Sequence, residues 1–174
     1  MTQNFKAIVE QMQTALTEDA SRGEAEFIVN TRQVDGLRSQ ATSRQFTQTI
    51  DEPEAIGGSD TGPSPVEVAL ASLGSCHEIT YRMCADELEI PLESVSVKLI
   101  GSIDFQGFFG VGEGVRPGFG GVNVQISLDS TASDEDLARL KQIVETRCPV
   151  LDLFRNSTPV TTVLAKPGAA AAAE

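Results

Sequence analysis

The stretch GGSDTGPSPVEVALASLGSCH, residues 57–77, decides the fold. Its first part crowds Gly57, Gly58, Gly62 and Pro63 among polar residues, and with Pro53 upstream it reads as a proline-stiffened loop over residues 51–65. Ser64-Pro65-Val66-Glu67 then has the form of a capping box. Ser64 sits at the N-cap, proline takes the first helical position where its missing N–H costs no bond, and Glu67 reaches back from the third. The spacing predicts a helix from Pro65 to about Leu88. Its first half, with Val66, Val68, Ala69, Leu70, Ala71, Leu73 and Gly74, is apolar on every side, as expected of a helix buried centrally. Cys76 follows inside that part.

Upstream, residues 25–30 and 44–50 are strand-like and flank a polar, glycine-containing turn at 34–38, which predicts a hairpin. Phe5, Ile8, Val9, Met12 and Leu16 recur on one helical face, so an amino-terminal helix with a face to bury is expected. Downstream, Val95, Val97 and Leu99 alternate with polar residues, as do Val122, Val124, Ile126 and Leu128, giving two further strands. Between them residues 106–121 carry Phe108, Phe109 and Phe119 among glycines, with no helix start after them to cradle a phosphate, and read as an apolar-lined flap. Ser133 opens a second helix bearing Leu137, Leu140 and Val144 on one face. Cys148 continues that face, and Pro149 interrupts the helix before a short extension to Arg155. A last strand is expected over residues 158–165. The elements together make an α+β domain.

The chain has 174 residues, enough for one domain with a real core. With 13 basic and 25 acidic residues its net charge is −12, which repels nucleic acid and anionic membranes. No apolar run approaches the roughly 20 residues of a membrane span, and no signal peptide opens the chain, so a cytoplasmic location is expected.

Three cysteines, Cys76, Cys84 and Cys148, form an odd set that reads as thiols rather than a disulfide framework. No Cys-x-x-Cys is present and His77 is the single histidine, so neither a metal nor another cofactor is expected. Cys84 lies eight residues beyond Cys76, about 12 Å along a helix and past the roughly 7 Å reach of a disulfide. Within one chain that leaves Cys148 as the thiol able to pair with Cys76, a pairing the sequence permits. A cysteine buried mid-helix needs a nearby cation to become a thiolate, and Arg32, Arg38 and Arg44 are the candidates. His77 is a poor base for Cys76, because adjacent helical residues point about 100° apart. Glu67 is accounted for by the capping box and is also able to orient an arginine.

With these residues in place the chain resembles the OsmC/Ohr family of small thiol proteins, in its OsmC-like subgroup. The resemblance spans residues 24–164. It rests on Asp51-Glu52-Pro53, on residues 57–67 leading to Leu73-Gly74-Ser75-Cys76, and on Arg147-Cys148-Pro149-Val150. It implies an intertwined homodimer, with antiparallel sheets packed around long central helices and two active sites at the subunit interface. A helical arm would occupy residues 1–20, the family domain 21–166, and a loose tail 167–174. By the same resemblance, Cys76 attacks a hydroperoxide, becomes a sulfenic acid and condenses with Cys148, and an external dithiol restores the pair. An arginine from the early strands, Arg44 by context and Arg32 second, would hold the thiolate, with Glu67 completing the catalytic set. The organic-hydroperoxide branch reads Asn-Pro-Glu, whereas here Val66 follows Pro65 and Glu67 stands one residue later, a rotation of about 100° on a helix. The resemblance implies reduction of hydroperoxides, organic ones favoured by the phenylalanine flap, while the displaced Glu67 adds weight to a protein that does not turn peroxide over. The alternatives are a redox-sensing or sulfur-binding protein without efficient turnover, and a scaffold with inert thiols.

Overall fold

The computed structural model describes residues 5–164. A helix α1 (Lys6–Glu18) and a 3-10 turn precede three strands, β1 (Asn30–Asp35), β2 (Arg38–Ser43) and β3 (Phe46–Ile50). The long helix α2 (Pro65–Glu87) follows the glycine–proline loop. Then come β4 (Ser94–Ile103), a short α3 (Phe105–Phe109), β5 (Phe119–Asp129), α4 (Asp134–Arg147) and α5 (Pro149–Arg155). The strands form two antiparallel sheets, β1-β2-β3 and β4-β5. The fold is α+β, and among the described residues no helix is long and apolar enough to cross a membrane.

The loop before α2 is wound around one carboxylate. Asp51, almost fully buried, accepts from the N–H groups of Glu52 (2.9 Å), Ser59 (3.2 Å) and Thr61 (3.1 Å) and from the Thr61 hydroxyl (2.8 Å). Gly58 permits this winding, since a Cβ there would stand 1.7 Å from the Glu52 carbonyl oxygen. The expected capping box closes the loop: the Ser64 hydroxyl accepts from Glu67 N–H, and the Glu67 carboxylate accepts from Ser64 N–H at 2.7 Å. A second N-cap, Ser133, starts α4 in the same manner.

From there α2 buries Leu73, Gly74, His77, Tyr81, Cys84 and Ala85, one face read at steps of three and four. Its lower half packs with Leu140 and Val144 of α4 and with Ile90 and Leu92. Its middle packs with Cys148, Leu151 and the β4–β5 sheet. Gly74 sets the separation from that sheet, where a Cβ would meet Leu99 Cδ1 at 2.8 Å.

Several expectations are corrected. The first hairpin turns at Gly36, in the left-handed region at φ 52°, and an additional strand, β2, occupies residues 38–43. The early strand expected at 25–30 contributes only Asn30 to the sheet, and the one expected at 44–50 begins at Phe46. Within the chain α2 is not enclosed, because Val66 and Ile79 on its outer face are exposed. The flap contains α3 rather than loop throughout, and residues 157–164 form no strand. Residues 165–174, including the expected tail, lie outside the described residues. The face of α1 carrying Ile8, Met12 and Leu16 points to solvent. The helix is tied to α2 by polar contacts instead, Phe5 N–H to Asp86 (2.8 Å) and Gln13 to Glu87 (2.7 Å).

Candidate active site

Cys76 lies at the edge of the buried face of α2, three residues beyond Leu73. Cys148 lies in the break between α4 and α5, with φ −75° and ψ 108°. The break is fixed from both sides: Cys148 N–H donates to Val144 O at 2.9 Å, and Cys148 O accepts from Asp152 N–H at 3.1 Å. Pro149, lacking an N–H, starts α5 without a lost bond. The result places the two sulfurs 3.3 Å apart, with Cys148 Sγ donating to Cys76 Sγ. Cys76 is half-buried and Cys148 is buried.

Burial pushes the Cys148 thiol up. The Leu151 backbone and the Thr80 side chain oppose the rise, while Cys76 reinforces it. Cys148 is thus a proton donor facing the more open Cys76. His77, buried beside them, has Nδ1 2.9 Å from Leu73 O and 3.9 Å from Cys148 Sγ. Sequence reasoning had related His77 to Cys76, its neighbour. The structure relates it to Cys148, through a helix break that no local pattern announces. Thr80, whose hydroxyl donates to Cys76 O at 2.7 Å, and Leu151 are further site residues that the sequence reading missed. Their signal was the spacing of Thr80 one turn after Cys76 and of Leu151 three residues after Cys148.

The arginines stand elsewhere in the chain. Arg32 donates to Gln40 across the first sheet at 3.0 Å, Arg38 lies 3.8 Å from Asp35, and Arg44 places its guanidinium 5.2 Å from the centre of the Phe46 ring. The sheet that carries them has no substantial packing contact with α2. Arg44 occupies the hairpin tip between β2 and β3 in left-handed backbone, φ 53°. Glu67 is engaged by Ser64, whose N–H and hydroxyl hold the carboxyl below its usual range against a smaller effect of burial. Cys84 lies apart, its thiol pushed up by burial and restrained by Arg147, which pairs with Glu87 at 2.5 Å.

One hollow adjoins the site and another lies at the start of α2. A cleft of about 740 Å³ reaches Leu73 and His77 and is walled by Val122, Phe119, Phe154 and Arg116. A smaller hollow of about 190 Å³, at the start of α2, is lined by Leu37, Ile56, Val66, Phe105, Phe108 and Phe109. Among the described residues no three His, Cys, Asp or Glu side chains are grouped to hold a metal.

Two thiols in van der Waals contact, one on a long helix laid against an antiparallel pair and the other at a proline-marked helix break, define an α+β thiol protein. The chain belongs to the OsmC-like protein family, whose model matches residues 57–163. Similar solved structures include an OsmC-like protein from Mycoplasma pneumoniae, 19% identical over 77% of this chain and 90% of that one, with a TM-score of 0.67. An organic hydroperoxide resistance protein OsmC from Legionella pneumophila is 19% identical over 76% and 92%, with a TM-score of 0.58. A putative organic hydroperoxide resistance protein from Vibrio cholerae, with captopril bound in one active site, is 17% identical over 77% and 88%, with a TM-score of 0.54. At these identities the likeness is one of fold. No curated protein matches the sequence.

Proposed function

We propose that this chain is a thiol-dependent peroxidase that reduces organic hydroperoxides. The observation that carries the reading is the 3.3 Å separation of Cys76 and Cys148 sulfurs, a contact that becomes a disulfide with little movement. The Cys76 thiolate attacks the peroxide oxygen, the O–O bond breaks, and the departing alkoxide takes a proton to leave as an alcohol. Cys76 is left as a sulfenic acid. Cys148 then attacks the Cys76 sulfur, the S–O bond breaks, and water departs. An external dithiol reduces the disulfide by exchange, in a reducing compartment such as the cytoplasm. The cleft that reaches Leu73 and His77, with Phe119 and Phe154 in its wall, supports an organic substituent on the peroxide, and so do the hydroperoxide-resistance names of two similar structures.

The working unit in this reading is a homodimer. Uncovered apolar residues on α2 and the free first sheet support it. So does Arg44, held in a backbone conformation uncommon for a non-glycine residue and presented away from its own thiols, where it suits the Cys76 of a second copy. The engagement of Glu67 by its own cap, with no arginine beside Cys76 among the described residues, favours a second reading, a redox sensor oxidised once without turnover. One assay separates them. Wild-type protein with excess dithiothreitol should consume many equivalents of cumene hydroperoxide, Cys76→Ser none, and Cys148→Ser a single equivalent without dithiol. Undiminished consumption by Cys76→Ser would overturn the mechanism, and a single equivalent from the wild type would establish the sensor.

A further inference from the structure

Condensation of a sulfenic acid with a second thiol requires the second thiol to shed its proton and attack. The thiol concerned here is buried Cys148, so the negative charge that develops on its sulfur has no water to receive it. What surrounds that sulfur instead is a set of donors. His77 Nδ1 stands 3.9 Å away, and the Leu151 backbone and the Thr80 side chain also favour the charged form of the sulfur. The proton on Nδ1 is assigned by its other neighbour, the Leu73 carbonyl at 2.9 Å, which only accepts. His77 Nδ1–H therefore donates to the Leu73 oxygen, with the Cys148 sulfur 3.9 Å from the same nitrogen and within reach as its charge develops. It is fixed by the turn of α2 that also carries Cys76.

We infer that His77 is a catalytic residue of the second step, its Nδ1–H holding the charge that develops on Cys148 as the disulfide forms. The proton of Cys148 leaves with the hydroxyl of the Cys76 sulfenic acid as water, and the S–S bond replaces the S–O bond. The imidazole neither gains nor loses a proton. Donors fixed in advance toward developing charge in a water-poor site are the most effective kind of electrostatic catalysis. The role differs from that of a base for Cys76, which helix geometry disfavours, and it rests on the peroxidase reading for the origin of the sulfenic acid.

The test uses the full chain as wild type, His77→Leu, His77→Asn and His77→Gln. Asparagine places an amide where Nδ1 stands, glutamine moves it one bond farther, and leucine removes it. After one equivalent of cumene hydroperoxide, dimedone trapping by mass reads sulfenic acid formation, and quenching with N-ethylmaleimide reads disulfide formation. Expected are equal rates of sulfenic acid formation in all four, disulfide formation slowed at least tenfold in His77→Leu and His77→Gln, and near-wild-type condensation in His77→Asn. Asparagine and glutamine, both polar, carry the comparison without an apolar replacement. A diamide pulse reads the same displacement by Cys148 on an activated Cys76 without any peroxide. The same ranking with diamide alone would sink the peroxidase reading and keep the role of His77. Equal condensation in wild type and His77→Leu, or equally slow condensation in His77→Asn and His77→Leu, would overturn it.

Discussion

Asp51 anchors the loop that aims α2. Burial works to raise its carboxyl pKa, but the hydrogen bonds from the Thr61 side chain and from the backbone of Glu52, Thr61 and Ser59 outweigh it and hold the group below its ordinary 3.8. A carboxyl depressed on folding stabilises the fold fully above its unfolded value. That stabilisation is lost as pH falls through the lower folded value. Urea melts of the wild type should therefore weaken on acidification below pH 3.8, whereas Asp51→Asn should start weaker at neutral pH and lack that component of the acid dependence. Equal acid responses in the two proteins would remove Asp51 from this role.

At the scale of elements, α4 is the strut that brings Cys148 to α2. Its Leu140 and Val144 have no exposed surface. Leu140→Ala should cost about 2–5 kcal/mol in urea unfolding, since a cavity there has no solvent to fill it. A cost under about 1 kcal/mol would mean that the helices collapse onto the gap. Elements whose signals are local were legible in the sequence: both serine caps, the proline start of α2, the alternation of β4 and β5, and the break at Pro149. Strand β2, Arg-Ser-Gln-Ala-Thr-Ser, was not, because it has no apolar alternation and takes its form from ladder bonds to β1 and β3 on either side. Phe27-Ile28-Val29 misled in the opposite direction, having strand composition without a partner strand among the described residues. At the site, excluding Cys84 left Cys148 as a permitted partner for Cys76, and the family resemblance implied the pair. The approach of His77 to Cys148 needed the angle between α4 and α5, which no residue pattern encodes.

For the molecule as a whole, the residues that ought to be inside are not yet covered. Phe27 is 90% exposed, Val160 82% and Val163 85%. One of the segments that hold them leads into β1 and the other follows α5, and a second copy is the proposed cover. Sedimentation equilibrium should give twice the 18.5 kDa chain mass. Phe27→Asp combined with Val160→Asp should shift the protein toward monomer and lower peroxide turnover together. A wild-type monomer with full turnover would rule out the shared site.

Oxidation does more than turn over the thiols. Cys76 and Cys148 are 72 positions apart, so a bond between them closes a loop containing the second half of α2, both long strands and α4. Chain-entropy reasoning assigns such a closure about 4 kcal/mol of stability, a rise in Tm on the order of 10 °C for a chain of this size. Diamide-treated wild type should melt that much higher than its reduced form, and Cys148→Ser should not respond. Because proteases act on the opened chain, the oxidised molecule would also outlast the reduced one in a protease digest, so that survival of the polypeptide would record its recent exposure to oxidant.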